Sequence, residues 1–208
     1  MQAPPESLNF AAHLFDLNRG RAEKIAYVDD HGALRYGELA DRARRLAAAL
    51  LALGLRREER VLLLMLDGNA WPIAFLGCLY AGIVPVAVNT LLTADDYAYM
   101  VRHSRAQAAL VSGALLPVLA AALQQGPHEV QHLIVDRPAG ALPADALHVD
   151  GLVAGAAPLA APAPTGADDP AFWLYSSGST GRPKGTVHSH ANAWWTAELY
   201  ARPVFGLN

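Results

Sequence analysis

The run RVLLLML at residues 60–66 is apolar at every position after the first. So short and continuous a run reads as a strand buried on both faces, which places it inside a sheet with helices on either side. The flanking sequence repeats the theme. Before it, KIAYVDDHGALRYGEL at 24–39 gives two short strands around an Asp-His-Gly turn and leads into a helix. Leu39, Ala43, Leu46, Leu50 and Leu53 form one stripe of that helix, and Gly54 is placed to end it. After it come a helix over roughly 70–81 and a strand, IVPVAVN, at 83–89.

Thr93 and Asp96 then make a capping-box pattern that opens the helix ADDYAYMVRHS. AALVS, LLPVLAAALQQ and VQHLIVD continue the alternation of strand and helix. Such alternation predicts an α/β fold, a parallel sheet flanked by helices. The pattern covers residues 1–136, a first α/β subdomain. It fades over 137–169, where GAAPLAAPAPTG reads as a semi-rigid connector. Residues 170–208 resume with a strand, AFWLYSS, a loop, a second strand, GTVHSH, and a helix, ANAWWTAELYARPVFG. The chain stops at Asn208 with neither cap nor polar tail, so the sequence is expected to be a piece of a larger protein.

Composition excludes several functions. A formal charge of −3 gives no electrostatic case for nucleic acid, and RARR at 42–45 reads as a solvated helix face. The single cysteine, Cys78, cannot form an internal disulfide; it reads as core packing in a protein of a reducing, cytoplasmic compartment. The amino terminus lacks the basic and apolar regions of a signal peptide. Residues 70–88 are uncharged and long enough to imitate a membrane span, but Gly82 and Pro85 divide them into helix and strand, and no span is expected. Hydrophobic residues make up 53% of the chain. Counting glycine in place of tyrosine raises this to about 58%, against a usual 45–50%. Part of the excess is alanine, and part is apolar surface meant for further protein.

The loop SSGSTGRPKG at 176–185 carries the chemistry. Gly178 and Gly181 let backbone N–H groups turn toward an anion with no Cβ in the way. Ser176, Ser177, Ser179 and Thr180 add hydroxyl donors, and Lys184 adds a positive charge. The spacing is not that of a Walker loop, because Pro183 precedes the lysine and no Ser or Thr follows it. It is not the G-x-G-x-x-G of dinucleotide folds either. The flanking β-type alternation makes it a strand–loop–strand hairpin around a phosphate.

YSSGSTGRPKGTVHSH resembles the phosphate-loop signature of the acyl-adenylate-forming (AMP-binding) superfamily of acyl-CoA ligases, luciferases and peptide-synthetase adenylation domains. GALRYGELADRARRLAAAL, RVLLLMLDGNAWPIAFLGCLYAGIVPVAVN and LTADDYAYMVRHSRAQAAL resemble that family's amino-terminal subdomain, in the same order. HSHANAWWTAELYARPVFGL is most similar to benzoate–CoA and 4-hydroxybenzoate–CoA ligases. The resemblance implies an enzyme that joins an aromatic carboxylate to ATP, forming acyl-AMP and pyrophosphate, and then passes the acyl group to coenzyme A. It implies that Ser176, Ser177, Gly178, Ser179, Thr180, Gly181 and Lys184 hold the nucleotide phosphates, with Lys184 catalytic because it stabilises the departing pyrophosphate. Arg182 falls at a variable position and reads as solvated.

Family members are more than twice this length. The resemblance therefore implies that the Mg²⁺ ligand, the acyl pocket and a mobile carboxy-terminal lysine lie downstream, and that this piece alone is inactive. No metal site is expected within the chain. His188 and His190 would share one face of a strand, without a third ligand, and Trp194 and Trp195 read as packing. Two alternatives stay open: a ligase for aliphatic or cinnamate-like acids, and a non-catalytic nucleotide-binding module. The acid, the roles of His188 and His190, and the oligomeric state are not legible in the sequence.

Overall fold

A computed structural model describes residues 2–138, 140–176 and 182–206. Helix α1 (Phe10–Leu17) precedes an antiparallel pair, β1 (Ile25–Asp29) and β2 (Gly32–Arg35), and helix α2 (Tyr36–Ala52). Strands and helices then alternate: β3 (Arg60–Leu64), α3 (Ala70–Tyr80), β4 (Val84–Ala87), α4 (Ala94–Ser104), β5 (Ala108–Ser112), α5 (Leu116–Leu123) and β6 (His132–Asp136). A short strand β7 (Leu147–His148) and helix α6 (Val149–Gly155) follow. The hairpin β8 (Pro170–Ser176) and β9 (Lys184–Ser189) leads into α7 (His190–Thr196), a π-helical stretch (Ala197–Ala201) and α8 (Arg202–Phe205).

One sheet of seven strands runs in the order β7-β6-β5-β3-β4-β8-β9. Every neighbouring pair is parallel except β8 with β9. The expected parallel sheet flanked by helices is what forms. Strand β3 lies at its centre, and its side chains alternate between two cores. Val61 and Leu63 face α1, α2, α3 and α6, whereas Leu62 and Leu64 face α4 and α5. All four are fully buried.

The expected membrane-like stretch divides as the sequence predicts. Helix α3 is apolar all round because it is buried all round. It ends before Gly82, whose φ of +71° is left-handed and whose missing Cβ would lie 2.7 Å from that of Ala163. Pro85 sits within β4 instead of ending it. Val84 donates its N–H to the Glu59 carbonyl, just before β3, and Val88 to that of Leu63 within it, so the absent N–H of Pro85 faces β8, one residue before that pairing starts at Val86. No helix of the described residues is long and apolar enough to cross a membrane.

Three local differences from the sequence reading stand out. Helix α1 carries no strong sequence signal; the side chain of Asn9 caps it by accepting from the Ala12 N–H at 3.2 Å. Residues 137–169 are not bare connector, since they contain β7 and α6. RARR is not a solvated face. Arg44 Nε donates to the Leu159 carbonyl at 2.9 Å, Arg45 Nη1 donates to that of Ala156 at 2.8 Å, and Arg42 pairs with Asp150 at 2.7 Å. Arg44 and Arg45 fasten the proline-rich segment to α2, and Arg42 ties α6 to it.

Candidate active site

The hairpin places the loop at the carboxyl edge of the sheet. Strand β8 runs parallel to β4, with Val86 opposite Trp173 and Ala87 opposite Leu174, so its end points the same way as the ends of β3 to β6. Ligands of open α/β sheets bind outside that edge. Ser176 closes β8 opposite Lys184, which opens β9, and both are exposed. Ser177, Gly178, Ser179, Thr180 and Gly181 lie outside the described residues. The structure therefore brings together the first and last members of the sequence-derived site, at the two feet of the loop.

Behind the feet stands an aromatic cluster that the sequence reading missed. Tyr175 directs its hydroxyl to His103 of α4, 2.8 Å from Nδ1, and donates to the Met100 carbonyl at 3.4 Å. The His103 ring stacks on Tyr99 at 5.3 Å, and the Arg182 guanidinium lies 5.6 Å above Tyr99. Arg182 is thus not merely solvated. Burial pushes the Tyr175 hydroxyl above the ordinary tyrosine range, so it stays protonated and able to donate.

His188 and His190 do not share a strand face. His188 belongs to β9 and stacks flat on Phe172, with centroids 4.7 Å apart. His190 is the first residue of α7 and is buried. Its Nδ1 accepts the Phe10 N–H at 3.2 Å, tying α7 to the start of α1. Burial depresses its pKa to about 4, against the opposing pull of Asp169, so the ring is neutral near pH 7 and Nδ1 is free to accept. Asp169 itself is held low by the Gly166 N–H and by Arg57. Trp194 packs at 4.7 Å from His13 and donates Nε1–H to the Gln2 carbonyl at 2.9 Å, a packing role with one polar tie. Cys78 is fully buried and its thiol is pushed up to about 12, so it is core, as read.

A separate cavity of about 590 Å³ lies where β6 ends and α3 begins, between Asp29, His31, Asn69, Asp136 and Arg137. Several of its polar groups are engaged with one another, whereas Asn69 Oδ1 is buried without a hydrogen-bond partner among the described residues. Asp29 accepts from the Asn69 and His31 N–H groups at 2.9 Å each, and Arg137 donates to Asp136 at 3.1 Å.

A mostly parallel sheet flanked by helices, with the feet of a hairpin loop at its carboxyl edge, defines an open α/β protein. The chain belongs to the AMP-binding enzyme family, which it matches over residues 14–207. It is 48% identical over 206 residues to a benzoate–CoA ligase of Thauera aromatica, covering 98% of this chain and 38% of that protein. It is 40% identical to a 4-hydroxybenzoate–CoA/benzoate–CoA ligase of Rhodopseudomonas palustris, covering 97% of this chain and 37% of that one. Among solved structures, a benzoate CoA ligase from Burkholderia xenovorans is 54% identical with a TM-score of 0.86, over 96% of this chain and 38% of that chain. An anthranilate CoA ligase in complex with anthranoyl-AMP superposes with a TM-score of 0.93 at 29% identity, over 100% of this chain and 40% of that chain. The chain thus spans little more than a third of the length of these relatives.

Proposed function

We propose that this chain is the amino-terminal part of a cytoplasmic, ATP-dependent aryl-acid CoA ligase that activates benzoate or a substituted benzoate as acyl-AMP and transfers the acyl group to coenzyme A. The observation that carries the reading is the similarity to benzoate ligases along nearly the whole chain, phosphate loop included.

On this reading the carboxylate attacks the α-phosphorus in line, and negative charge grows on the departing pyrophosphate. Ser176, Ser177, Gly178, Ser179, Thr180 and Gly181 supply hydroxyl and backbone donors to the phosphate tail, and Lys184 supplies the charge. The exposed, opposed feet of the loop fit an anion, since Ser176 and Lys184 are paired residues of the hairpin at the sheet's carboxyl edge. Among the described residues, no three His, Cys, Asp or Glu side chains converge as a metal site. Mg²⁺, when bound, would neutralise the triphosphate, and its acidic ligand is assigned to downstream sequence with the acyl pocket. Domain boundaries follow the same reading: 1–136 as a first subdomain, 137–169 as the segment pinned to α2, and 170–208 as the loop-bearing start of the next part.

The test is a panel of acids with ATP, Mg²⁺ and CoA, assayed on the complete enzyme. Benzoates are expected to lead acetate, hexanoate and cinnamate in kcat/KM. A clear aliphatic or cinnamate preference would select the alternative ligase, and ATP binding without turnover of any acid would select a non-catalytic module.

A further inference from the structure

The hairpin outruns its support at the point where the loop begins. Strand β4 ends at Ala87, opposite Leu174, so the last two pairs of the hairpin, Tyr175 with Gly185 and Ser176 with Lys184, extend past it. Among the described residues, β9 meets the sheet only through β8. Main-chain pairing to the sheet therefore does not fix where the loop's feet point.

Side chains of α4 meet both feet. Tyr99 and His103 are four residues apart and face the same way. On the incoming side, His103 Nδ1 is 2.8 Å from the Tyr175 hydroxyl, which donates onward to the Met100 carbonyl at 3.4 Å. The tautomer with a proton on Nδ1 completes this chain of donors. On the outgoing side, Arg182 rests over Tyr99, which also stacks on the His103 ring and packs against the core on that side of the sheet. Gly185 makes the approach possible. A Cβ there would lie 3.3 Å from Trp173 Cε3 and 3.5 Å from both His103 Cε1 and Tyr175 Cε1, so a larger side chain would push the rings apart.

Resting on the nucleotide-binding reading above, we propose that Tyr99 and His103 form a clamp that holds Tyr175 and Arg182, and with them the two feet of the phosphate loop, in the orientation that receives ATP. They are positioning residues. Without the clamp, ATP itself must order the feet, and the cost falls on ATP affinity alone. Binding of the acid and transfer from acyl-AMP to CoA do not depend on it.

The test uses the complete enzyme and measures ATP affinity directly, alongside KM for the acid and thioester formation from supplied acyl-AMP. Tyr175→Phe keeps the ring and removes the hydroxyl. It is expected to weaken ATP binding about 3- to 10-fold, the scale of one net hydrogen bond. His103→Ala is expected to weaken it at least as much, since it also removes the ring stacked on Tyr99, and the double variant little more than His103→Ala alone, because the two changes share the Tyr175–His103 hydrogen bond. His103→Asn, whose amide nitrogen stands where Nδ1 stood, should recover most of what His103→Ala loses. If the parent binds ATP and the variants bind it equally well, the clamp is overturned while the nucleotide reading stands. If ATP affinity and thioester formation fall while the acid KM rises, the effect is general damage and the clamp is again overturned. If the parent does not bind ATP, the nucleotide reading fails and takes the clamp with it. Should His103→Ala not fold, Tyr175→Phe and His103→Asn still decide.

Discussion

Lys184 opens β9 with its side chain exposed at the foot of the loop, opposite Ser176. Lys184 is the one lysine among the loop's neutral donors, and with Arg182 held over Tyr99 it is the cation expected to act where charge develops. Replacing it with alanine in the complete enzyme removes one charge-assisted contact of about 2–3 kcal/mol and should slow adenylation about 30- to 150-fold. Thioester formation from supplied acyl-AMP should change far less, and equal losses in both half-reactions would refute the role. His190 gives a pH prediction. Its folded pKa lies near 4, below the ordinary 6.5, because burial disfavours the cation. Below pH 6.5 the unfolded chain takes up the proton first, so this group lowers stability as pH falls from about 6.5 to 4 and has no effect above that window. Urea midpoints across it should fall less steeply in His190→Asn, whose amide oxygen can still accept the Phe10 N–H; parallel curves would exclude His190 as a cause. The loop stands out in the sequence as a candidate because glycine, hydroxyl and lysine in that order have few other uses. The two histidines were misread because the strand gives way to a helix between them. Ser189 donates its N–H to Asn192 at 2.8 Å, a capping arrangement whose Asn is not the usual Glu or Gln signal.

The most legible elements were those with strong periodicity or continuous apolarity. The α2 stripe buries Leu39, Ala43, Leu46 and Leu50, and β3 is buried to both sides. Leu63, fully buried in the central strand, should cost about 2–5 kcal/mol when cut to alanine, read as a lower denaturation midpoint. A cost under about 1 kcal/mol would contradict the packing described. What the sequence could not show depends on partners far away along the chain. The α2 arginines looked solvated because the carbonyls they bind, at Ala156 and Leu159, lie over a hundred residues on. α6 is short, carries glycine within it, and takes its place by packing against α2. Arg44→Ala removes a charged hydrogen bond worth about 1–2 kcal/mol at a half-buried site. It should speed protease cleavage within 156–168, and an unchanged cleavage rate there would show that the arginine does not fasten the segment.

At the scale of the molecule, the sheet ends on β9, with Val187 half exposed and, beyond it, Val204 and Phe205 about 60% exposed. This fits the sequence's excess of apolar residues. On the proposal that the acyl pocket and metal ligand lie downstream, the 208-residue chain alone should release pyrophosphate orders of magnitude more slowly than the complete enzyme, because catalysis requires those groups in fixed geometry. Release within tenfold of the complete enzyme would show that the site has been misplaced. The central claim, that this fold activates an aryl acid by adenylation, is tested most directly by isotope exchange between pyrophosphate and ATP in the complete enzyme without CoA. The account predicts exchange that requires benzoate or a ring-substituted benzoate. Thioester formation from benzoate with no benzoate-dependent exchange would contradict it.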